Sequence, residues 1–317
     1  MKKQFVKDLA VRNKVNDIFY IRSRRQLEKR DGGKFLVLDL SDKSGSIEGK
    51  LWDNVHDLFS ESNPGNFVKV EGDVTEYMGD MQITISHIFK VSDKEISSQD
   101  FLPTSRFNIE DMYKELLSYF DIVKDKDYRK LLDTLFSNPE FVTKFKSAPA
   151  STGIHHGYLG GLLEHTLFML RFSRSTPQVY KELDYPLIVI GIILHDIGKI
   201  NSYTYDKVID HTDEGKLIYH IVEGYRIAND EIGKIPDFPE IKKQMLLHII
   251  LSHHGLREYG SPVTPKFAEA FIVHDIDNLD ARMWMFRDTT EQNKDQRWSD
   301  KQWFLDTEVF IKPPMAD

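Results

Sequence analysis

The sequence predicts a two-domain chain, a small five-stranded β-barrel followed by an all-helical domain. At 317 residues with 40% hydrophobic content, the chain exceeds the usual size of one domain and has ample material for a core. Short strand-like segments separated by turn signals run from Val15 to Val91, and helical periodicity replaces them from Ile109 to about Arg287. The expected division is 1–95 for the barrel, 96–150 for a linker and accessory helices, 151–290 for the helical domain and 291–317 for a tail.

The strands are expected at Val15 to Ile21, Phe35 to Leu40, Ser46 to Trp52, Phe67 to Tyr77 and Met81 to Val91. Asp31-Gly32-Gly33, Asp42-Lys43-Ser44-Gly45, Asn63-Pro64-Gly65 and Gly79-Asp80 mark the turns, and Asn54 to Ser60 suits one short helix. Five strands with a helix between the third and fourth point to an OB-type barrel. A polar stretch, Ser92 to Asp100, then Pro103 and a helix start near Asn108 mark the boundary. Helices are expected at Asp111 to Phe120, Asp127 to Phe136, Glu140 to Phe145, Gly161 to Ser173, Pro186 to Ile197, Tyr219 to Ile232, Glu240 to Ser252 and Pro265 to Phe286. In the tail, Trp298, Trp303 and Phe304 are the residues able to dock on the body; otherwise the terminus is partly disordered.

With no cysteine in the chain, disulfides and thiolate metal sites are excluded, and His and carboxylate remain as the strong metal ligands. The longest apolar run, Pro186 to Leu194, is too short to span a bilayer, so no membrane association and a cytoplasmic location are expected. A net charge of −8 argues against a protein that merely coats nucleic acid. Residues 1 to 34 nevertheless hold 11 Lys or Arg against 4 Asp or Glu, a net +7, with Arg22, Arg24, Arg25, Lys29, Arg30 and Lys34 close together. Such a run is either a solvated face or a phosphate-binding strip.

Ten of the twelve histidines fall after residue 150, and several stand beside other ligand types. His195-Asp196 ends a strongly apolar helix that Gly198 stops. A buried imidazole and carboxylate need a partner there, because an uncompensated buried charge costs several kcal/mol. His253-His254 follows the apolar run Met245 to Leu251 and precedes Gly255. Neighbours on a helix point about 100° apart, so both rings reach one ion only at a helix end. His165 sits within a helix, His220 opens another, and Asp277 follows the apolar segment Phe267 to Val273, with Asp280 its rival. A lone helical histidine is more commonly a hydrogen-bonded core residue than a ligand, so His165 and His220 gain weight only from the set. His56 and His87 in the barrel and His211 in a loop read as surface residues, while His248 or His274 could orient a ligand from behind.

The order His165, His195-Asp196, His220, His253-His254, Asp277 in helical elements resembles the HD-domain metal-dependent phosphohydrolases. Glu164-His165-Thr166, Leu194 to Lys199, Ser252 to Gly255 and Asp277 to Asp280 carry the resemblance. It implies one divalent ion on His165, His195, Asp196 and Asp277 and a second on His220, His253 and His254, with Asp196 bridging and Asp280 in an outer role. Two ions about 3.5 to 4 Å apart suit phosphodiester hydrolysis, because they generate a nucleophile near neutral pH and neutralise the phosphate. Mn²⁺ is the expected ion, and Fe²⁺, Co²⁺, Ni²⁺ or Zn²⁺ fit the same donors. Lys199 is either an exposed helix-terminal lysine or a catalytic cation beside the metals.

The chain as a whole resembles the YhaM family of bacterial 3′-to-5′ exoribonucleases, which joins an OB domain to an HD domain. The run from His155 through Gly160-Gly161 to His165 looks like that family's entry to the helical bundle, and Val273 to Asp277 departs from it where a small residue would precede the aspartate. The resemblance implies Mn²⁺-dependent release of nucleoside monophosphates from the 3′ end of single-stranded RNA, and of single-stranded DNA as a further substrate. His155 and His156 are then either loop or capping residues or groups at the mouth of the site that touch the scissile phosphate or protonate the leaving oxygen. OB barrels hold single strands in charged grooves with aromatic platforms. Phe19, Phe35, Trp52 and Tyr77 are the candidate platforms, with Phe35 reading as core, and Arg22, Arg24, Lys50, Trp52 and Tyr77 are the expected contacts. Rival functions are hydrolysis of a small nucleotide with a regulatory barrel, which the basic strip disfavours, and non-enzymatic nucleic-acid binding, which the complete ligand set disfavours. Oligomeric state is not readable.

Overall fold

A computed structural model describes every residue except Met1, Arg30, Asn54, Ile154 and 314–317, and the side chains of His56, Asp57 and Lys94 are also left aside. Arg30 of the basic run, the Asn54 start of the short helix and the His56 side chain therefore lie outside the described residues. The chain forms two compact units, Met1–Thr104 with Tyr205–Val208, and Ser105–Thr204 with Ile209–Asp317. The first unit extends beyond the expected 1–95 because Phe101 and Leu102 are buried, Phe101 lying edge-on to Phe67 at 4.7 Å. Residues 105–150, expected as linker and accessory helices, belong to the unit that carries the histidine cluster.

The first unit is a closed barrel of β1 (Lys14–Glu28), β2 (Lys34–Asp42), β3 (Gly45–Leu51), β4 (Phe67–Tyr77) and β5 (Asp80–Lys90), in the order β1-β2-β3-β5-β4, with the short helix α1 (Val55–Leu58) between β3 and β4. Among the described residues only β3 and β5 pair in parallel. β1 closes the barrel because its first half pairs with β4 and its second half with β2. A register irregularity between Ile21 and Ser23 accompanies this change of partner, and such a bulge lets one strand bend between two neighbours. Alternation sends Phe19, Leu36, Leu38, Leu40, Val70 and Ile83 inward, where all are fully buried. Phe19 is thus a core residue and not a stacking platform. Phe35, expected in the core, sits one residue out of phase with Leu36 and lies half-buried on the outer face.

The second unit contains α2 (Ile109–Ser118), α3 (Lys126–Phe136), α4 (Pro139–Ser147), α5 (Gly161–Ser173), α6 (Thr176–Val179), α7 (Tyr185–Leu194) and α8 (Lys199–Ser202). The two-residue strands β6 (Tyr203–Thr204) and β7 (Asp210–His211) pair next, followed by α9 (Asp213–Leu217), α10 (His220–Gly233), α11 (Glu240–Ser252) and α12 (Ala268–Gln292). Asn108, Asp125, Asn138 and Asp184 cap their helices by accepting from amides of the first turn. α7 is buried throughout from Leu187 to Leu194, as a helix apolar on every side should be, and packs against α5, α11 and α12. In the tail the aliphatic Leu305, Val309 and Ile311 pack with Met285 of α12 and with Phe304, whereas Trp298 and Trp303 remain exposed. The indoles do not dock it.

Candidate metal centre

Helix ends deliver His195, Asp196, His220, His253 and His254 to the site, while His165 and Asp277 come from within α5 and α12. α7 stops at Leu194, and His195 Nδ1 donates to the Ile192 carbonyl at 2.7 Å. α11 stops at Ser252, and His253 Nδ1 donates to the Ile250 carbonyl at 2.7 Å. The last carbonyls of a helix lack backbone partners, so in both places an imidazole satisfies one. His254 Nδ1 donates to the Tyr259 carbonyl at 2.8 Å. A carbonyl oxygen only accepts, so each of these rings carries its proton on Nδ1 and presents a bare Nε2. Two glycines permit the close approach. A Cβ at Gly198 would lie 2.0 Å from the His220 carbonyl, and Gly255, at φ +73°, would drive one to 2.2 Å from the His274 ring.

Two clusters share one carboxylate. His165 Nε2 lies 3.3 Å from His195 Nε2 and 3.2 Å from Asp277 Oδ1, while Asp196 Oδ2 stands 3.2 Å from His195 Nε2. The other oxygen, Asp196 Oδ1, is 3.3 Å from His220 Nε2 and 3.4 Å from His253 Nε2. His220, His253 and His254 offer nitrogens within 4.8 Å of one another, as His165, His195 and Asp277 offer theirs. Asp196 Oδ1, His220 Nε2 and His253 Nε2 are buried without a hydrogen-bond partner. Orphaned buried acceptors are costly and rare. Facing one another in the second cluster they suit a divalent cation there, the first cluster gathers a like set of ligand atoms, and the nitrogen and oxygen donors match a borderline transition metal.

Electrostatics divides the clusters. Burial opposes the Asp196 charge, but the Lys199 ammonium, donating to Oδ2 at 2.5 Å, and His195 hold its carboxyl well below the usual range. Burial also opposes a charged His165, yet bonds to Asp277 and Asp280 prevail and raise it to about 10. In the second cluster burial pushes His220 well down and His254 to about 4. Lys199 is 5% exposed, so it is not a surface lysine.

The remaining expected residues separate clearly. Asp277 joins the first cluster, while Asp280 stands behind it, its Oδ2 accepting from His165 Nδ1 at 2.7 Å and from His156 Nε2 at 2.9 Å. His156 is fully buried in that outer layer, on a left-handed backbone with φ 45°. His156, His165 and Asp280 also offer ligand atoms within 4.8 Å of one another, and there both histidines hydrogen-bond to the one Asp280 oxygen. His155 is half-buried with its ring 5.8 Å from His165 and its Nδ1 unpartnered; burial, then the Lys199 charge, pushes it down to about 3. His274 donates to the His253 carbonyl at 2.7 Å and so braces a cluster residue. His248 instead accepts from the Lys266 amide, away from the clusters. His211 is no free surface residue, since it lies in β7 with its ring 4.9 Å from Tyr203. His87 is exposed on β5. Tyr158 and Trp284, which sequence reasoning passed over, complete the outer layer: Tyr158 Oη lies 2.9 Å from His156 Nδ1 and accepts from Trp284 Nε1 at 3.2 Å. For Trp284 a signal was available, since Asp277, Asp280 and Trp284 fall on one face of α12 at i, i+3 and i+7.

In the barrel, register places Arg25, Val37 and Lys50 side by side on the outer face. Phe35 stacks on half-exposed Trp52 at 4.4 Å, and the Lys50 ammonium lies 5.0 Å from the ring of Tyr77, itself 60% exposed. Arg22 pairs with Asp39 at 3.8 Å and is exposed. Arg24 is apart from this group: its guanidinium covers the Phe59 ring at 3.6 Å and donates to the Phe59 carbonyl. Arg25, part of the basic run but not among the expected contacts, shares the face of Lys50.

The HD domain family matches residues 162–282, and the OB-fold nucleic acid binding domain family matches residues 20–91. The 3′-5′ exoribonuclease YhaM of Bacillus subtilis (strain 168) is 34% identical over 307 residues, covering 96% of this chain and 96% of that protein. The solution structure of the second OB-fold domain of replication protein A from Methanococcus maripaludis aligns at 23% identity over 29% of this chain and 96% of that one, with a TM-score of 0.24. Among the described residues no helix is long and apolar enough to cross a membrane.

Proposed function

The chain belongs to the YhaM family of 3′-to-5′ exoribonucleases, and from that premise we propose that the shared carboxylate of Asp196 organises a two-metal centre that removes nucleotides from the 3′ end of single-stranded RNA. The chain is a metal-dependent 3′-to-5′ exoribonuclease. His165, His195, Asp196 and Asp277 would hold one ion, and His220, His253, His254 and Asp196 the other, with Mn²⁺ the preferred species. Bound there, two divalent cations supply Lewis acidity, a nucleophile at neutral pH and charge against the phosphoryl oxygens.

The chain's own groups do the rest. The ring bonds to carbonyls and to Asp280 hold the Nε2 atoms in place before any ligand arrives, so little reorganisation accompanies binding. The Lys199 ammonium stands beside Asp196 and supplies a fixed positive charge for a non-bridging phosphoryl oxygen. Burial and the Lys199 charge keep His155 neutral at physiological pH, and its Nδ1 lies in the site without a partner. That suits a hydrogen bond with a ribose hydroxyl better than protonation of a leaving oxygen. On the barrel, Trp52 with Phe35 and Tyr77 with Lys50 suit stacking and phosphate contact along a strand, of RNA or DNA. Nucleoside monophosphates are the product, and an RNA substrate implies work in the cytoplasm.

The observation that carries the reading is the division of the two Asp196 oxygens between two histidine clusters, Oδ2 beside His195 and Oδ1 beside the orphaned nitrogens of His220 and His253. Purified protein with Mn²⁺ should shorten 5′-labelled single-stranded RNA in a ladder from its 3′ end, and the same ladder on DNA would extend the substrate class. Intact RNA together with rapid turnover of a small nucleotide assayed in parallel would overturn it.

A further inference from the structure

Behind His165 stands a file of side chains whose hydrogen bonds are fixed in direction at both ends. Trp284 Nε1 lies 3.2 Å from Tyr158 Oη, Tyr158 Oη 2.9 Å from His156 Nδ1, His156 Nε2 2.9 Å from Asp280 Oδ2, and that same oxygen 2.7 Å from His165 Nδ1. An indole N–H only donates and an ionised carboxylate only accepts, so chemistry sets both ends. Trp284 donates to Tyr158, and Asp280 accepts from both histidines. His156 is fully buried, and because Asp280 only accepts, its Nε2 carries a proton; in the relay the Tyr158 hydroxyl, which already accepts from Trp284, donates its O–H to Nδ1. Glu164 Oε1, at 3.6 Å from His156 Nδ1, is beyond hydrogen-bond reach, and its other oxygen accepts from Ser105 at 2.6 Å.

The direction passes through to the cluster. With Nδ1 of His165 donating to Asp280, its Nε2 is the atom offered to Asp277 and His195. His195, His253 and His254 take their orientation from backbone carbonyls, whereas His165 takes it from a carboxylate that other side chains hold in place. A carboxylate behind a ligand imidazole also raises the basicity of the ring. We propose that Trp284, Tyr158, His156 and Asp280 form a directional relay that fixes the orientation of His165, making Tyr158 and His156 positioning residues of the first ligand cluster. This rests on the metal-centre reading above.

Two measurements test it. In metal-free protein carrying ¹⁵N-labelled histidine, the His156 ring should show Nε2 protonated and Nδ1 bare; a ring protonated on Nδ1, alone or on both nitrogens, would overturn the relay. Calorimetric titration of the full chain with Mn²⁺ should find two equivalents. Tyr158→Phe should weaken one of them roughly tenfold to a hundredfold and leave the other unchanged. Trp284→Phe, at a half-buried position, should act in the same direction and less strongly, and it decides the matter if Tyr158→Phe does not fold. Equal weakening of both equivalents, or of neither, would refute the relay. Wild-type protein that binds no Mn²⁺ would refute the metal-centre reading instead, while the histidine spectrum would still report on the relay.

Discussion

Asp196 is bonded by Lys199 on one oxygen and faces two orphaned imidazole nitrogens with the other. Replacing it strands a cation that is 5% exposed. Asp196→Ala should therefore abolish hydrolysis and also lower stability by roughly 3–5 kcal/mol, because it leaves a buried charge unpaired. Adding Lys199→Met should restore much of the melting temperature and none of the activity, with RNA binding retained in both variants; a thermal scan beside the ladder assay checks this. The pairs His195-Asp196 and His253-His254 were legible in sequence because adjacency at the end of an apolar helix is itself a signal. His156 was not legible: it sits on a left-handed backbone that its neighbours in sequence do not announce. Asp277 and Asp280 could be ranked only by resemblance, until the helix showed one in the cluster and the other behind it.

At the scale of elements, the N-terminus of α3 illustrates how a cap and an ion pair combine. The Asp125 carboxylate accepts from the Asp127 and Tyr128 amides and pairs with Lys242 of α11. Burial opposes its charge, but Lys242 and the two amides prevail, so its pKa falls below the ordinary 3.8. A carboxyl depressed in the folded state contributes stability that is present above its unfolded pKa and lost as pH falls through the folded value. Asp125→Ala should thus cost about 1 kcal/mol near neutral pH, and its deficit should shrink as pH drops below the ordinary carboxylate range. Urea unfolding at several pH values measures the difference, and a constant deficit would contradict the assignment. Apolar periodicity located Phe67–Tyr77, Gly161–Ser173 and Glu240–Ser252 to the residue. It missed α8, α9 and the β6–β7 pair, because elements of two to five residues are too short to display a period.

At the scale of the whole molecule, the proposed reading gives strand recognition and hydrolysis to different units. Combining Lys50→Ala with Trp52→Ala should weaken binding of single-stranded RNA at least about tenfold, given the worth of one stacked base. Turnover of a short phosphodiester such as bis(p-nitrophenyl) phosphate should be unaffected, and equal loss of both would argue against the division. The order of the two units was readable from the change of periodicity near residue 100, but their composition was not. The segment Tyr205–Val208 belongs to the barrel unit, where Ser98 donates to the Asp206 carbonyl and Lys207 pairs with Asp93. Contacts made by a polar stretch a hundred residues away leave no local pattern. The polypeptide consequently passes from one unit to the other three times. For recombination this makes the units a matched set: a crossover at residue 104 that brought in a foreign barrel would leave these four residues facing a surface they did not evolve with. A viable hybrid would have to inherit both pieces together.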